Sequence, residues 1–221
     1  MDSPAPEESR VLLLNKPYEW TSFDVVNKLR YILKMKKIGH AGTLDPLATG
    51  LLIVCTGKMT KRIEEFMGQE KEYTGTFVIG QRTPSHDLET EVSEAVDISH
   101  ITTDMLKAAT MPLTGNIEQL PPMHSAIRVG GKRAYQFARQ GKEVELKPRA
   151  VEVREFEITS VNLPEVNFRI VCSKGTYIRS IARDFGDALG VGAYMSVLCR
   201  TRIGEFRLAD ALEIEQVKKM E

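Results

Sequence analysis

The chain has 221 residues, 42% of them hydrophobic, 27% charged and 7% aromatic, which is the composition of an ordinary globular protein and excludes a disordered chain. Its 30 basic and 30 acidic residues cancel, and no apolar run approaches the roughly 20 residues that a membrane helix requires, so a membrane protein is excluded as well. At this length folding buries roughly 70–75% of the unfolded surface, enough for a core without disulfide or metal staples.

Residues 1–10, "MDSPAPEESR", are acidic and contain two prolines where a secretory signal would be basic and then apolar. They read as a disordered lead, and a cytoplasmic protein is expected. "VLLLNKP" from Val11 has the apolar run and stop of a short buried strand. Ser22 can then cap a helix to about Lys34, with Val25, Val26, Leu29, Ile32 and Leu33 on one face and Asp24 in the first turn. After the glycine-rich loop "GHAGTLDPLATG" (39–50), "LLIVCTG" reads as a strand and "MTKRIEEFM" as a short helix. "KEYTGTFVIG" reads as a strand with Tyr73, Gly75, Phe77 and Ile79 on one face.

Residues 87–97 form a polar connection, "TTDMLKAATMP" a capped helix ended by Pro112, and "RAYQFARQG" a basic helix stopped by Gly141. "VEVREFEITSVNL" and "EVNFRIVCS" are rich in β-branched and aromatic residues, and Pro164 between them suggests an antiparallel pair. "YIRSIARDFGDALG" is an amphipathic helix, apolar at 178, 181, 182, 185 and 189, and "AYMSVLCRTRIG" a last strand before a C-terminal helix. Strands and helices are interspersed with hairpin-like pairs and do not strictly alternate. The expected fold is therefore α+β, a mixed sheet with helices packed on it, in a single domain over residues 11–221.

The zero net charge hides a patterned distribution. Residues 28–37 carry five basic groups and no acid, and 128–149 carry seven basic against two acidic. By contrast 84–106 holds Asp87, Glu89, Glu91, Glu94, Asp97 and Asp104 without a Lys or Arg. Such patches are either solvated helix faces or a basic RNA-binding surface beside an acidic edge. Cys55, Cys172 and Cys199 are dispersed with no CxxC, and His40, His86, His100 and His124 never pair at helical spacing, so neither a disulfide framework nor a metal site is expected.

Three stretches can carry chemistry. Asp45 lies in the glycine-rich loop before Pro46, where it either caps a helix beginning at the proline or serves as a reactive carboxylate. The loop lacks the GxxxxGK[ST] and GxGxxG spacings, which disfavours a nucleotide-binding enzyme. In "CSKGTYIRSIARDFG", Thr176 as a cap would leave Arg179 in the first turn of a helix with no acid there, against the macrodipole. Either Arg179 points into solvent or its planar fork holds a carboxylate. Tyr73 is either a core ring or a platform for a nucleobase with a phenol that can exchange a proton.

Together these stretches resemble the bacterial TruB-type tRNA pseudouridine synthase family. "LLLNKPYEWTSFDVVNKLR" is similar to its N-terminal signature, "KIGHAGTLDPLATGLLIVCTGKMTK" to its catalytic-loop motif and "EKEYTGTFVIGQRT" to its tyrosine strand. "QLPPMHSAIRVGGKRAYQFARQG" is similar to its RNA-contacting segment, "VCSKGTYIRSIARDFG" to its arginine motif and "LCRTRIGEF" to its closing strand, so the resemblance spans Val11 to Phe206.

The resemblance implies the pseudouridine synthase fold, with a mainly antiparallel sheet, and conversion of the T-arm uridine at tRNA position 55 to its C-glycoside isomer after base flipping. It implies Asp45 as the catalytic aspartate, Tyr73 as the ring on the base and route for the C5 proton, and Arg179 as the partner of the aspartate. His40, Tyr177 and Leu198 correspond to residues around the flipped nucleotide. Isomerisation transfers no external group, so no cofactor and no metal are expected. tRNA is the expected partner of a monomer that has no membrane or protein partner. Many members continue into a C-terminal PUA-type RNA-binding domain, whereas this sequence ends about fifteen residues after "RIGEF" and resembles the catalytic domain alone. The acidic stretch 84–106 is expected at an edge away from the cleft, and the loop glycines are expected to leave room for the nucleotide. The alternative is an RNA-binding or RNA-folding module on the same scaffold without turnover, which would need none of Asp45, Tyr73 and Arg179.

Overall fold

A computed structural model describes residues 9–125, 127–138, 140–142 and 144–218. Residues 1–8 of the expected lead lie outside the described residues. At its end the Lys58 amide donates to Ser9 Oγ (2.8 Å) and the Arg10 amide to Thr56 Oγ1 (2.8 Å). The chain runs β1 (Val11–Lys16), α1 (Ser22–Leu33), β2 (Ile38–Ala41), β3 (Thr49–Thr56), a 3-10 turn, α2 (Ile63–Gly68), β4 (Lys71–Ile79), α3 (Thr103–Thr110) and β5 (Gly115–Gln119). It continues through β6 (Arg128–Val129), β7 (Lys132–Arg133), α4 (Ala134–Ala138), β8 (Arg149–Asn162), β9 (Glu165–Cys172), α5 (Ile178–Ala188), β10 (Ala193–Ile203), β11 (Phe206–Arg207) and α6 (Ile214–Val217). It clusters into two compact units, Met1–Thr74 with Leu198–Glu221, and Gly75–Val197.

In the first unit the strand order is β1-β3-β10-β4, with β2 also on β3 and β11 on β10. β1 and β2 pair antiparallel with β3, and β10 pairs parallel with it. β3 is buried on both faces, which is why it reads as a continuous apolar run. Leu52 and Val54 join Leu12, Leu14 and the α1 residues Val25, Val26, Leu29 and Ile32. Leu51, Ile53 and Cys55 pack on the other side with Phe66 and Ile203. α1 is capped by Thr21 and not by Ser22: Thr21 has extended dihedrals (φ −75°, ψ 156°), and its hydroxyl and the Asp24 carboxylate form a reciprocal capping box.

In the second unit the order is β10-β4-β9-β8-β5; β8 and β9 are antiparallel as the two β-rich runs suggested, and β5 pairs antiparallel with β8. Its core is aromatic. Phe77 stacks on Phe168 with centroids 4.1 Å apart, and Phe156 and Phe185 close around the pair. Phe77, Phe168 and Phe185 are fully buried, and each contributes about 1.5–3 kcal/mol. Gly75 lets β4 lie flush here, because a Cβ would stand 2.2 Å from the Val197 carbonyl oxygen and 2.7 Å from the Phe168 ring. The apolar face expected of α5, at 178, 181, 182, 185 and 189, is buried in full. The architecture is the expected α+β, a mixed and mostly antiparallel sheet with packed helices. Among the described residues no helix is long and apolar enough to cross a membrane.

Candidate active site

The loop between β2 and β3 presents Asp45, and its backbone is pinned along its length. No helix begins at Pro46. The Ala48 amide donates to the Asp45 carbonyl (3.0 Å), so Pro46 takes the second position of a tight turn, where its fixed φ fits. Ser22, freed from capping and buried, accepts from the Leu44 amide (2.9 Å) and donates to the Leu44 carbonyl (3.3 Å). Lys16 Nζ donates to the carbonyls of Pro17 (2.8 Å), Trp20 and Pro46 (3.1 Å). Arg200 donates through Nε to Leu51 (2.8 Å) and through Nη2 to Gly42 (3.2 Å).

Sheet register places both cations. Lys16 stands opposite Gly50 on one side of β3 and Arg200 opposite Gly50 on the other. Gly50 has φ +103°, and a Cβ there would lie 2.4 Å from the Arg200 carbonyl oxygen. At Gly50, one of the loop glycines, the missing Cβ lets β3 and β10 close together. Lys16 is fully buried, and burial pushes its ammonium down to about 8. The Asp45 carboxylate opposes that shift, so the two charges support each other across the turn.

Three other expected residues lie in this unit. His40 is on β2 opposite Val54, and its Nδ1 is buried without a hydrogen-bond partner among the described residues. Burial lowers its pKa and Arg200 adds to the shift, which favours the neutral imidazole. Tyr73 on β4 is 9% exposed, and Leu198 on β10 is buried, its carbonyl accepting from Thr49 Oγ1 (3.5 Å).

Arg179 and Tyr177 lie in the second unit, at the start of α5. Tyr177 takes the N-cap position without a side-chain cap, and Thr176 turns back to donate to the Ser173 carbonyl (3.0 Å). Gln119 holds the N-cap residue itself from outside the helix. Its buried amide accepts from the Tyr177 amide (2.8 Å) and donates to the Tyr177 carbonyl (3.1 Å). The Tyr177 ring lies under the Arg149 guanidinium at 5.7 Å.

Arg179 does not point into solvent, being 3% exposed. It donates to the His124 carbonyl through Nη2 (2.9 Å) and to the Ser85 carbonyl through Nη1 (3.5 Å), and Nη1 lies 3.5 Å from the Asp87 carboxylate. The expectation that the acidic stretch 84–106 stays at an edge therefore fails for Asp87, which is 2% exposed while most of its neighbours are solvated. Asp87 is held in turn, its carbonyl accepting from Thr83 Oγ1 (2.6 Å) and Ser85 Oγ (3.1 Å). Next to it His86 adopts φ +63°, and its pKa falls to about 4 through burial and then through Arg183 and Arg179. Sequence reasoning missed Lys16, Arg200, Asp87 and Gln119. Only the violated dipole preference of Arg179 hinted that an acid had to be found.

The basic segment expected over 128–149 lies partly outside the described residues, at 139 and 143 and the side chains at 128, 132 and 133. Among the described residues, no group of three or more His, Cys, Asp or Glu is arranged to hold a metal.

Residues 30–178 match the family model of the TruB family pseudouridylate synthase N terminal domain, and residues 179–221 that of the tRNA pseudouridylate synthase B C-terminal domain. The tRNA pseudouridine synthase B of Flavobacterium johnsoniae is 52% identical over 214 residues, 94% of this chain and 93% of its own. That of Phocaeicola vulgatus is 52% identical over 215 residues, 95% of this chain and 92% of its own. Among solved structures, a chain in the crystal structure of a Cbf5-Nop10-Gar1 complex is 30% identical with a TM-score of 0.74. The match covers 95% of this chain and 53% of that one, so the chain spans about half its length.

Proposed function

The chain belongs to the TruB family of pseudouridylate synthases, which makes it an enzyme that converts uridine to pseudouridine in tRNA, and we propose that its target is the T-arm uridine at position 55 with Asp45 as the catalytic group. The observation that carries this reading is the Asp45–Pro46 turn, fixed at Gly42, Leu44 and Pro46 over the buried Lys16 and Arg200. A flexible loop would lose the orientation that covalent or proton-transfer chemistry requires. A binding module without turnover has no need of a carboxylate held this way.

The reaction is an isomerisation in which atoms balance within the substrate. The N1–C1′ bond breaks, the uracil turns, C5 bonds to C1′, and the proton lost from C5 is matched by one gained at N1. Attack at C1′, addition at C6 and removal of a ribose proton all require the ionised carboxylate, which the neighbouring Lys16 ammonium favours. Tyr73 packs on the base and carries off the C5 proton. Arg179 is the third catalytic residue, its guanidinium oriented by Asp87, Ser85 and His124. His40, Tyr177 and Leu198 contact the extruded nucleotide. Flipping costs a few kcal/mol and is easiest where a loop already exposes its bases.

The test uses unmodified tRNA carrying tritium at uracil C5. Wild-type protein is expected to release tritium from this tRNA and not from the same tRNA with cytidine at position 55. Undiminished release from the substituted tRNA would overturn the choice of position.

A further inference from the structure

The outer face of α1 carries a group of residues that the site above does not use. Tyr31 is 79% exposed and stands between two open grooves. One, of about 500 Å³, is lined by Arg30, Ile32, Lys34 and Lys218 beside the tyrosine. The other, of about 560 Å³, is lined by Trp20, Asn27 and Lys28 but also by Glu19 and Asp24.

The cations around the first groove are available to an anion. Arg30 donates to Asn27 Oδ1 (3.1 Å) and to the Ile38 carbonyl (3.3 Å) and lies 5.6 Å over the Phe23 ring. All three partners are neutral, so the guanidinium is held in place with its charge uncompensated. Lys34 makes no ion pair among the described residues, and Lys218 pairs with Glu215 at 3.4 Å where both side chains are at least half exposed, a weak contact in water. The helix dipole accounts for cations at the C-terminal end of α1. It does not account for an aromatic ring left in water beside them.

Resting on the tRNA reading above, we propose that this face binds the RNA outside the reacting nucleotide, with an unpaired base stacked on Tyr31 and its phosphates held by Arg30, Lys34 and Lys218. Basic groups beside an exposed ring are the elements that sequence-tolerant single-strand binding uses. The acids of the second groove place the phosphates on the Lys34 side.

The experiment is a titration of fluorescein-labelled unmodified tRNA with wild type, Tyr31→Ala, Tyr31→Phe and Lys34→Gln, followed by anisotropy over a series of salt concentrations. Loss of one stacked base raises Kd by roughly 5- to 150-fold in Tyr31→Ala. Tyr31→Phe keeps the ring and binds like wild type, and Lys34→Gln lowers the slope of log Kd against log salt by about one. Wild-type affinity in Tyr31→Ala, equal weakening in Tyr31→Phe, or an unchanged slope in Lys34→Gln each overturns the proposal. Those results with a wild type that still forms pseudouridine sink this inference alone, whereas a wild type that forms none sinks the tRNA reading itself.

Discussion

Lys16 is a fully buried ammonium whose donors satisfy three main-chain carbonyls, one of them in the turn that carries Asp45. Replacing it by methionine leaves those carbonyls without a donor, an expected loss of about 1–3 kcal/mol at neutral pH in urea unfolding, together with a fall in turnover. The pH dependence follows from its pKa, lowered from 10.5 in the open chain to about 8. Between those values the folded chain has released the proton while the unfolded chain still holds it, so this group's contribution to stability rises with pH across that window. The stability gap between wild type and Lys16→Met is therefore expected to widen from pH 7 to pH 10, by up to roughly 3 kcal/mol. A gap that narrows would mean that Lys16 is not the buried cation described here. Neither Lys16 nor Asp87 is legible in the sequence as a functional residue. The first reads as the polar end of a strand and the second as one of six acids in a solvated run, because burial of a single charged side chain leaves no periodic trace.

The element that decides the position of Arg179 is the first turn of α5. Its apolar period is plain in the sequence, and so is its approximate start, but the group that fixes that start is Gln119, 58 residues upstream. A local pattern offers Thr176 instead, the nearest hydroxyl. The same limit explains why β2 and β5 were not foreseen. Each is short and contains glycine, and each owes its strand form to its partners, β3 and β8 respectively. Long elements with one or two apolar faces, such as β3, β8, β9 and α1, declared themselves because their burial repeats. Gln119→Leu removes both bonds to Tyr177, whose carbonyl keeps the Ile181 amide, so thermal unfolding should show a loss of about 1–3 kcal/mol. Turnover on tRNA should fall further than tRNA affinity, since phosphate contacts dominate binding. Equal losses in both would make Gln119 a structural residue with no positioning role.

For the whole molecule a net charge of zero is a poor guide to its partner. The acids of 84–106 are mostly solvated, and the basic run at the end of α1 contains exposed Lys34, Lys36 and Lys37, for which no ion pair exists among the described residues. Affinity for tRNA should accordingly fall with salt, log against log, by roughly 0.7–0.9 per phosphate contact. A flat salt response would argue against an electrostatic RNA surface anywhere on the chain. Six motifs in order carry the family resemblance, and the matches along residues 30–221 agree with it. What motifs do not encode is the support beneath Asp45, and that support is the reason to regard the carboxylate as a catalyst and not as the end of a turn. The most direct measurement is to incubate unmodified tRNA with wild type and with Asp45→Asn and to map pseudouridine by carbodiimide-dependent primer-extension stops. A stop at position 55 with wild type and none with Asp45→Asn is expected, and a stop of equal strength with both proteins would contradict the assignment of Asp45.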